Sequence, residues 1–349
     1  MSPHSFSAME KKRTNLSKRQ IPRFEEKALV GDALVLLFDI LGVSDLFSSN
    51  GDIRSVTKKI ETLYTTLDSI RKRLDIRQQN GVTVPDTLAA ALFSDSVYII
   101  SAIGAKPTDF EAELYGQFFI ASECQTILLE HGFFARGGIA KGIAAVENNF
   151  IAGPACVSAA SFDSHGKPPV IMVDKKLIWD SYRGSCHMKY SAPNPEFYLF
   201  DVSWRYKLLY DTKTDTFFFN YMEDWFALCT DPLSEGAPEC YNFLVHNLEK
   251  HKQLIEAQIS KFQRLAQTNK EHVNTLEKYL FLANLHNFVL RTYAEYQEFA
   301  HVDKYMLLNP LTPTSIAWAY PYIKKFIMEA SYKHNLPTLS SISTEKRNP

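Results

Sequence analysis

Two aspartates stand at the ends of apolar runs, and this placement is the first sign of chemistry in the sequence. Asp39 lies near the end of the continuous apolar run at residues 33–40, and Asp95 separates the apolar runs at 88–93 and 97–103. Carboxylates on neighbouring strands can converge on one hard cation, because proteins hold Mg²⁺ or Mn²⁺ through one or two carboxylates plus substrate phosphates. The plainer alternative is that each aspartate only caps a turn.

The turn after Asp39 has a composition that suits an anion. Residues 40–44 read Ile-Leu-Gly-Val-Ser and indicate a tight turn into a short helix. Exposed backbone N–H groups at a helix start favour an anion such as a triphosphate, and Gly42 would let the backbone come close. One glycine at a strand-to-helix turn is common, so this pattern carries little weight alone.

A candidate cation occurs further along the chain, where Arg136 precedes Gly137 and Gly138. A guanidinium can hold phosphate oxygens through two hydrogen bonds, and charge builds up on those oxygens during phosphoryl transfer. The alternative is a structural ion pair at the start of a strand. Lys141 would share a face of that strand with Ile139, and no role is assigned to it.

Hydrophobic periodicity predicts the elements that position these residues. Apolar residues over 56–74 recur every three or four positions, which predicts an amphipathic helix, and Asp95 falls at the tip of a β-hairpin. The first six elements have the βαββαβ order of an α+β ferredoxin-like fold, in which two helices cover one face of an antiparallel sheet. The later predicted elements are a helix from Thr108 to Gly132, a glycine-containing strand at 134–144, a short helix at 155–162 and a strand at 169–173.

The chain divides into three predicted regions. Residues 1–30 form a polar, basic arm, 31–180 an α+β domain, and 181–340 a region of additional strands and helices. No linker composition marks the boundary near residue 180, so that boundary is soft. The last region is predicted to hold strands at 196–202 and 216–221 and helices from Tyr241 onward.

The composition excludes several classes of protein. The 349 residues include 38 Lys and Arg against 39 Asp and Glu, a net charge of −1, which argues against a protein that coats nucleic acid. Five cysteines without C-x-x-C spacing indicate neither a disulfide framework nor a zinc knuckle, and they fit a reducing, cytoplasmic location. The apolar stretch 87–105 contains Asp95, whose charge would be costly in lipid, so no membrane insertion is expected.

Four short motifs, in this order and on these elements, resemble the class III nucleotide cyclases. The closest resemblance is to the bacterial Pycsar cyclases, antiviral enzymes that make cyclic pyrimidine mononucleotides, and it covers roughly residues 33–175. The motifs are Phe38-Asp39-Ile40-Leu41-Gly42, Phe93-Ser94-Asp95-Ser96, Arg136-Gly137-Gly138-Ile139 with Gly142, and Gly153-Pro154-Ala155 leading to Ala160 and Asp163.

The resemblance implies that Asp39 and Asp95 ligate two divalent ions, Mn²⁺ or Mg²⁺, with help from the Ile40 carbonyl. It implies UTP or CTP as substrate, with UTP preferred, a 3′,5′-cyclic nucleotide as product, and a separate effector protein that senses this product. One ion would lower the pKa of the ribose 3′-hydroxyl, and the other would hold the β- and γ-phosphates. A head-to-tail homodimer with composite sites is also implied. The residues expected to contact the nucleotide are Phe38, Ile40, Leu41, Gly42, Val43 and Ser94.

The sequence departs from the family pattern in the helix after the fourth strand. Conventional class III enzymes place an Asn and an Arg there, whereas residues 157–162 carry neither. Arg136 is therefore the candidate for stabilising charge in the transition state. Pro168-Pro169 replaces the usual Pro-Arg, and Asp163 replaces a Glu. Three alternatives stay open: a cytidylate cyclase, a catalytically silent module that binds nucleotide or a partner, and another palm-like enzyme such as a diguanylate cyclase, whose Gly-Gly-Glu-Glu-Phe signature is absent.

Overall fold

The computed structural model describes most of the chain in separate stretches. They are residues 29–41, 43, 53–80, 88–93, 95–103, 107–147, 150–162, 168–188, 207–227, 237–297, 302–307, 315–319, 321–323, 325, 326 and 329. Several predictions fall outside these stretches and concern Gly42, Ser94, Asp163, the strand at 196–202 and nearly all of the basic arm.

The described strands and helices follow the predicted order closely as far as residue 173. The strands are β1 Leu29–Leu41, β2 Leu88–Phe93, β3 Ser96–Ala102, β4 Phe134–Glu147, β5 Phe150–Ala152, β6 Ile171–Val173, β7 Leu208–Asp211, β8 Thr216–Phe219 and β9 Ile316–Trp318. The helices are α1 Ile53–Asn80, α2 Pro107–Glu130, α3 Pro154–Ser161, α4 Lys175–Met188, α5 Met222–Ala227, α6 Ala237–Ala266, α7 Glu271–Gln297 and α8 Val302–Tyr305.

The nine strands of the described stretches form one sheet. Its order is β2-β3-β1-β4-β6-β8-β7-β9, with β5 paired to β4. β1 lies between β3 and β4 and is antiparallel to both, while β6 pairs with β4 in the parallel direction. The fold is therefore α+β with a mixed sheet. The sheet continues across the predicted boundary near residue 180, because β7, β8 and β9 extend it.

Both faces of β1 are buried, which explains why its sequence is continuously apolar. Leu34, Leu36 and Phe38 point into the large core shared with the long helices. Ala33, Val35 and Leu37 point the other way, into a smaller cluster with residues of α3. The two helices predicted to cover one face, α1 and α2, pack on the face of the large core, and α3 in addition covers part of the second face.

Glycines in β4 make room for its neighbours. A Cβ atom at Gly138 would overlap the ring of Phe162, at the end of α3. A Cβ atom at Gly137 would overlap the carbonyl of Leu37 on β1. These two positions therefore admit a side chain only if α3 or β1 shifts.

A buried chain of hydrogen bonds joins the sheet to the C-terminal helices. Tyr221 lies 2.6 Å from His251 Nε2, His251 Nδ1 lies 2.8 Å from His286 Nδ1, and His286 Nε2 lies 2.9 Å from the Tyr305 carbonyl. A carbonyl only accepts, so His286 donates from Nε2 and accepts at Nδ1. His251 then donates from Nδ1 and accepts from the Tyr221 hydroxyl. Burial lowers the pKa of both histidines and so favours their neutral forms, and with both neutral the donation runs in one direction along the chain.

His286 and its neighbour Asn287 are both buried and hydrogen-bonded in the core. His286 is held as described above, and Asn287 donates to the Leu307 carbonyl at 3.2 Å and accepts from its N–H at 2.9 Å. The apolar stretch at 87–105 contributes β2 and β3 of the sheet. Over the described parts of the chain, no helix combines the length and apolar character needed to cross a bilayer.

Candidate functional site

Three polar residues meet across three adjacent strands at one end of the sheet. Asp39 on β1 stands opposite Ser96 on β3 and, on its other side, opposite Arg136 on β4. Directly opposed residues in antiparallel strands project from the same face. Alternation along β1 puts this group on the face that carries Val35 and Leu37, the face partly covered by α3.

The Asp39 carboxylate is held from both sides. Ser96 Oγ donates to its Oδ1 at 3.2 Å, and Arg136 Nη2 donates to its Oδ2 at 3.3 Å. The Asp39 and Arg136 side chains are 13% and 16% exposed, so solvent still reaches this pair. The carboxylate is thus fixed in orientation and electrically balanced by the guanidinium.

Asp95 lies beside this group, in the turn between β2 and β3. The Ile40 N–H donates to the Asp95 carbonyl at 2.9 Å, so the Asp95 backbone sits opposite Ile40, one position along from the Asp39–Ser96 pair. Asp95 is only partly buried. The fold therefore brings both predicted aspartates to the same end of neighbouring strands.

Most of the residues expected to contact a nucleotide have side chains in the core. Phe38, Ile40 and Val43 are 0%, 1% and 5% exposed and belong to the large core cluster. Leu41 packs against the same cluster. Contact between these residues and a ligand would therefore have to come from their backbone atoms, as the turn-based prediction supposes.

The donor set at this end of the sheet suits a hard divalent cation. Asp39 and Asp95 both lie at this end of the sheet, and carboxylate and backbone carbonyl oxygens are the ligands that Mg²⁺ and Mn²⁺ prefer. Within the described stretches, no group of three or more His, Cys, Asp or Glu could hold a metal ion. A cation here would therefore take its other ligands from phosphate oxygens and water, the usual arrangement for Mg²⁺.

Lys141, left unassigned from the sequence, lies away from this group. It shares the helix-covered face of β4 with Ile139, as alternation predicted, and its Nζ contacts Asp180 Oδ2 on α4 at 3.0 Å. The same Nζ lies 4.6 Å from the centre of the Phe110 ring. Lys141 therefore ties α4 and α2 to the sheet.

Ser96 is the residue whose role the sequence did not reveal. The apolar runs at 88–93 and 97–103 predict that Ser96 belongs to the hairpin tip, whereas the structure makes it the first residue of β3. The length of the turn could have revealed this role. If the turn consists of positions 94 and 95 alone, Ser96 begins the next strand, and that strand pairs with β1 near Asp39. The sequence does not give the register between β1 and β3, and a shift of one residue in that register would put the Ser96 side chain on the other face of the sheet.

No protein-family model matches this chain, and no curated protein matches its sequence. The assignment of function therefore depends on the residues and their arrangement.

Proposed function

We propose that this protein is a metal-dependent nucleotide cyclase that converts UTP to 3′,5′-cyclic UMP and pyrophosphate as an antiviral signal. The observation that carries the proposal is that Asp39 and Arg136 pair at one end of neighbouring strands and that the turn holding Asp95 lies at the same end. Two carboxylates and a guanidinium supply the charges that a triphosphate and its divalent ions require.

The arrangement of the first six elements supports the proposal. The antiparallel strand order β2-β3-β1-β4, with α1 and α2 as crossovers, is that of a ferredoxin-like βαββαβ unit. The motifs quoted from the sequence lie at the end of β1, around the β2–β3 turn and at the start of β4. This finer assignment of the fold is part of the proposal.

The roles of the chain's own residues follow from their chemistry. Bound divalent ions would supply Lewis-acid activation of the 3′-hydroxyl and charge neutralisation of the leaving pyrophosphate. Asp39 and Asp95, with the Ile40 carbonyl, would hold these ions, and Arg136 would stabilise charge on the phosphate oxygens. The 3′-oxygen forms a bond to the α-phosphorus, the bond from that phosphorus to the bridging β-phosphate oxygen breaks, and the hydroxyl proton passes to water.

A second copy of the chain is part of the proposal, because the resemblance implies sites composed of residues from two subunits. Two apolar side chains on the β4–β5 ribbon support such an interface: Ile143 is 56% exposed and Phe150 is 66% exposed. Both project from the same face of the ribbon by strand alternation. Exposed apolar surface of this kind marks protein contacts. The cyclic product would then act on a separate effector protein.

A second candidate function, a nucleotide-binding module without turnover, is favoured by one observation. Arg136 forms an ion pair with Asp39, whose carboxylate is one of the two that a catalytic cation would need. Cytidylate cyclase activity is the other alternative, since the preference for UTP comes from the family resemblance alone.

One experiment separates these functions. Purified protein is incubated with each of the four nucleoside triphosphates and Mn²⁺, and the products are identified by mass spectrometry. Cyclic UMP from UTP is the expected result, and cyclic CMP from CTP would favour the cytidylate alternative. Tight nucleotide binding without a cyclic product from any triphosphate would favour the silent module.

A further inference from the structure

The ion pair between Arg136 and Asp39 places a cation of the protein itself where a metal ion is expected to bind. Arg136 Nη2 reaches Asp39 Oδ2, and the other carboxylate oxygen, Oδ1, accepts from Ser96. Both oxygens of the carboxylate are therefore engaged. A divalent cation that approached Asp39 would share the carboxylate with these donors and would lie next to the charge of Arg136.

The two donors differ in how readily they can be displaced. Ser96 is neutral and lies on the neighbouring strand in direct register, so its hydroxyl can stay in place beside a bound cation. Arg136 carries a positive charge, which repels any cation that shares the carboxylate. Its contact of 3.3 Å is longer than the distance of about 2.8 Å that is usual for a charge-assisted hydrogen bond.

We infer that Arg136 competes with the divalent cation for Asp39 and releases it when a nucleoside triphosphate offers the guanidinium a second anion. This inference rests on the proposed function and adds a coupling between the two ligands. Cation and triphosphate then bind cooperatively, because each one removes the partner that the other must displace. In the absence of nucleotide, the site binds the cation weakly and Asp39 stays neutralised.

The test measures Mn²⁺ binding to the full-length, nucleotide-free protein by electron paramagnetic resonance. Arg136→Gln is expected to bind Mn²⁺ about tenfold more tightly than the wild type, which corresponds to about 1.4 kcal/mol. Arg136→Lys keeps the positive charge and is expected to bind Mn²⁺ about as weakly as the wild type. Unchanged or weaker Mn²⁺ binding by Arg136→Gln would overturn the inference, as would an absence of Mn²⁺ binding in both proteins.

Two controls make the comparison specific. Arg73→Gln removes the same charge from another arginine that pairs with a carboxylate, since Arg73 bonds to Glu123 at 2.8 Å on the α1–α2 surface. This variant should leave Mn²⁺ affinity unchanged. Asp39→Asn should lose most of the affinity, and circular dichroism should show an unchanged fold in every variant.

A second arm measures the coupling itself. With 3′-deoxy-UTP, which lacks the reacting hydroxyl, the wild type should gain more in Mn²⁺ affinity than Arg136→Gln gains. An equal gain in the two proteins would contradict the exchange of Arg136 between its anions.

The outcome is separable from that of the proposed function. Tighter Mn²⁺ binding in Arg136→Gln, with no cyclic product from any triphosphate, would support competition between Arg136 and the cation and would refute the proposed cyclase activity. Cyclic UMP formation by the wild type, with an unaltered Mn²⁺ affinity in Arg136→Gln, would support the cyclase activity and refute the competition between Arg136 and the cation.

Discussion

Asp39 is the residue through which the candidate site is organised. Its carboxylate receives one hydrogen bond from each neighbouring strand, from Ser96 on β3 and from Arg136 on β4. Apolar runs and turn residues were sufficient to predict that Asp39, Asp95 and Arg136 lie at strand ends. They could not decide between a phosphate-binding and an ion-paired Arg136, because that depends on a register fixed only in the folded sheet. The structure shows Arg136 paired with Asp39.

At this scale, Ser96→Ala is predicted to lower turnover without unfolding the protein. Loss of the hydroxyl frees the Asp39 side chain to rotate, and a misplaced metal ligand typically costs about tenfold or more in activity or metal affinity. Steady-state kinetics at several Mn²⁺ concentrations measures the effect, with Ser96→Thr as the variant that retains a hydroxyl. Identical kinetics in Ser96→Ala and the wild type would show that Ser96 does not orient Asp39 for turnover.

The long periodic helices were predictable, as were short elements such as β6 and α3, whereas the 14-residue helix α4 was not predicted. The periodic run at 56–74 lies inside α1, and the hairpin flanking Asp95 is present as predicted. β5 and β9 have three residues each, too few for alternation to reveal a strand. The position of α3 on the second face could not be read from its sequence either, because a small-residue helix fits many surfaces.

The element scale yields a prediction about the packing of α3 on β4. Gly138→Val is expected to destabilise the protein by about 1–3 kcal/mol, since the new side chain overlaps Phe162. Urea unfolding measures the change. Gly31→Val is the matched control, because a Cβ atom there meets nothing within 4 Å. The loss of stability caused by Gly138→Val should be smaller when it is combined with Phe162→Ala. A Gly138→Val variant as stable as the wild type would show that α3 does not pack on β4 at this position.

At the scale of the whole molecule, one sheet runs through both halves of the sequence, from β2 to β9. The division of the chain into domains at 31–180 and 181–340 remains a prediction. The helical region from Tyr241 onward is present as α6 and α7, but sequence patterns gave no sign that β7 and β9 would join the sheet. Pairing between strands so distant in the chain depends on tertiary packing, which local patterns do not encode.

The buried hydrogen-bond chain makes the stability of the whole molecule sensitive to acid. Burial lowers the pKa of His251 well below its usual 6.5, and burial lowers that of His286 to about 4. The unfolded chain takes up protons below about pH 6.5 that the folded chain cannot accept, so the free energy of unfolding should fall between pH 6.5 and 4. The loss due to His286 is on the order of 3 kcal/mol.

Urea unfolding at pH 7.5, 5.5 and 4.5 measures this dependence. His286→Gln should flatten it, whereas His246→Gln, a change at an exposed histidine bonded to Glu130, should leave it almost as steep. A steep loss of stability that persists in His286→Gln would assign the acid sensitivity to other groups.

The proposed homodimer gives a second prediction at this scale. Asp replacements at Ile143 and Phe150 together should convert a dimer to a monomer and abolish turnover, since charge would enter an apolar contact. Light scattering coupled to size-exclusion chromatography gives the mass. Val273→Asp adds one charge at a similarly exposed apolar position on α7 and should change neither property. A monomeric wild type with full activity would refute the composite site.

The central claim is that two aspartates at neighbouring strand ends support cyclisation of a pyrimidine triphosphate. The most direct measurement is the mass spectrum of products formed from UTP and Mn²⁺ by the wild type, Asp39→Asn and Asp95→Ala, with circular dichroism to verify each fold. The account predicts 3′,5′-cyclic UMP and pyrophosphate in equal amounts from the wild type, and neither product from the two folded variants. Wild-type protein that yields no cyclic nucleotide, or an Asp95→Ala variant as active as the wild type, would contradict it.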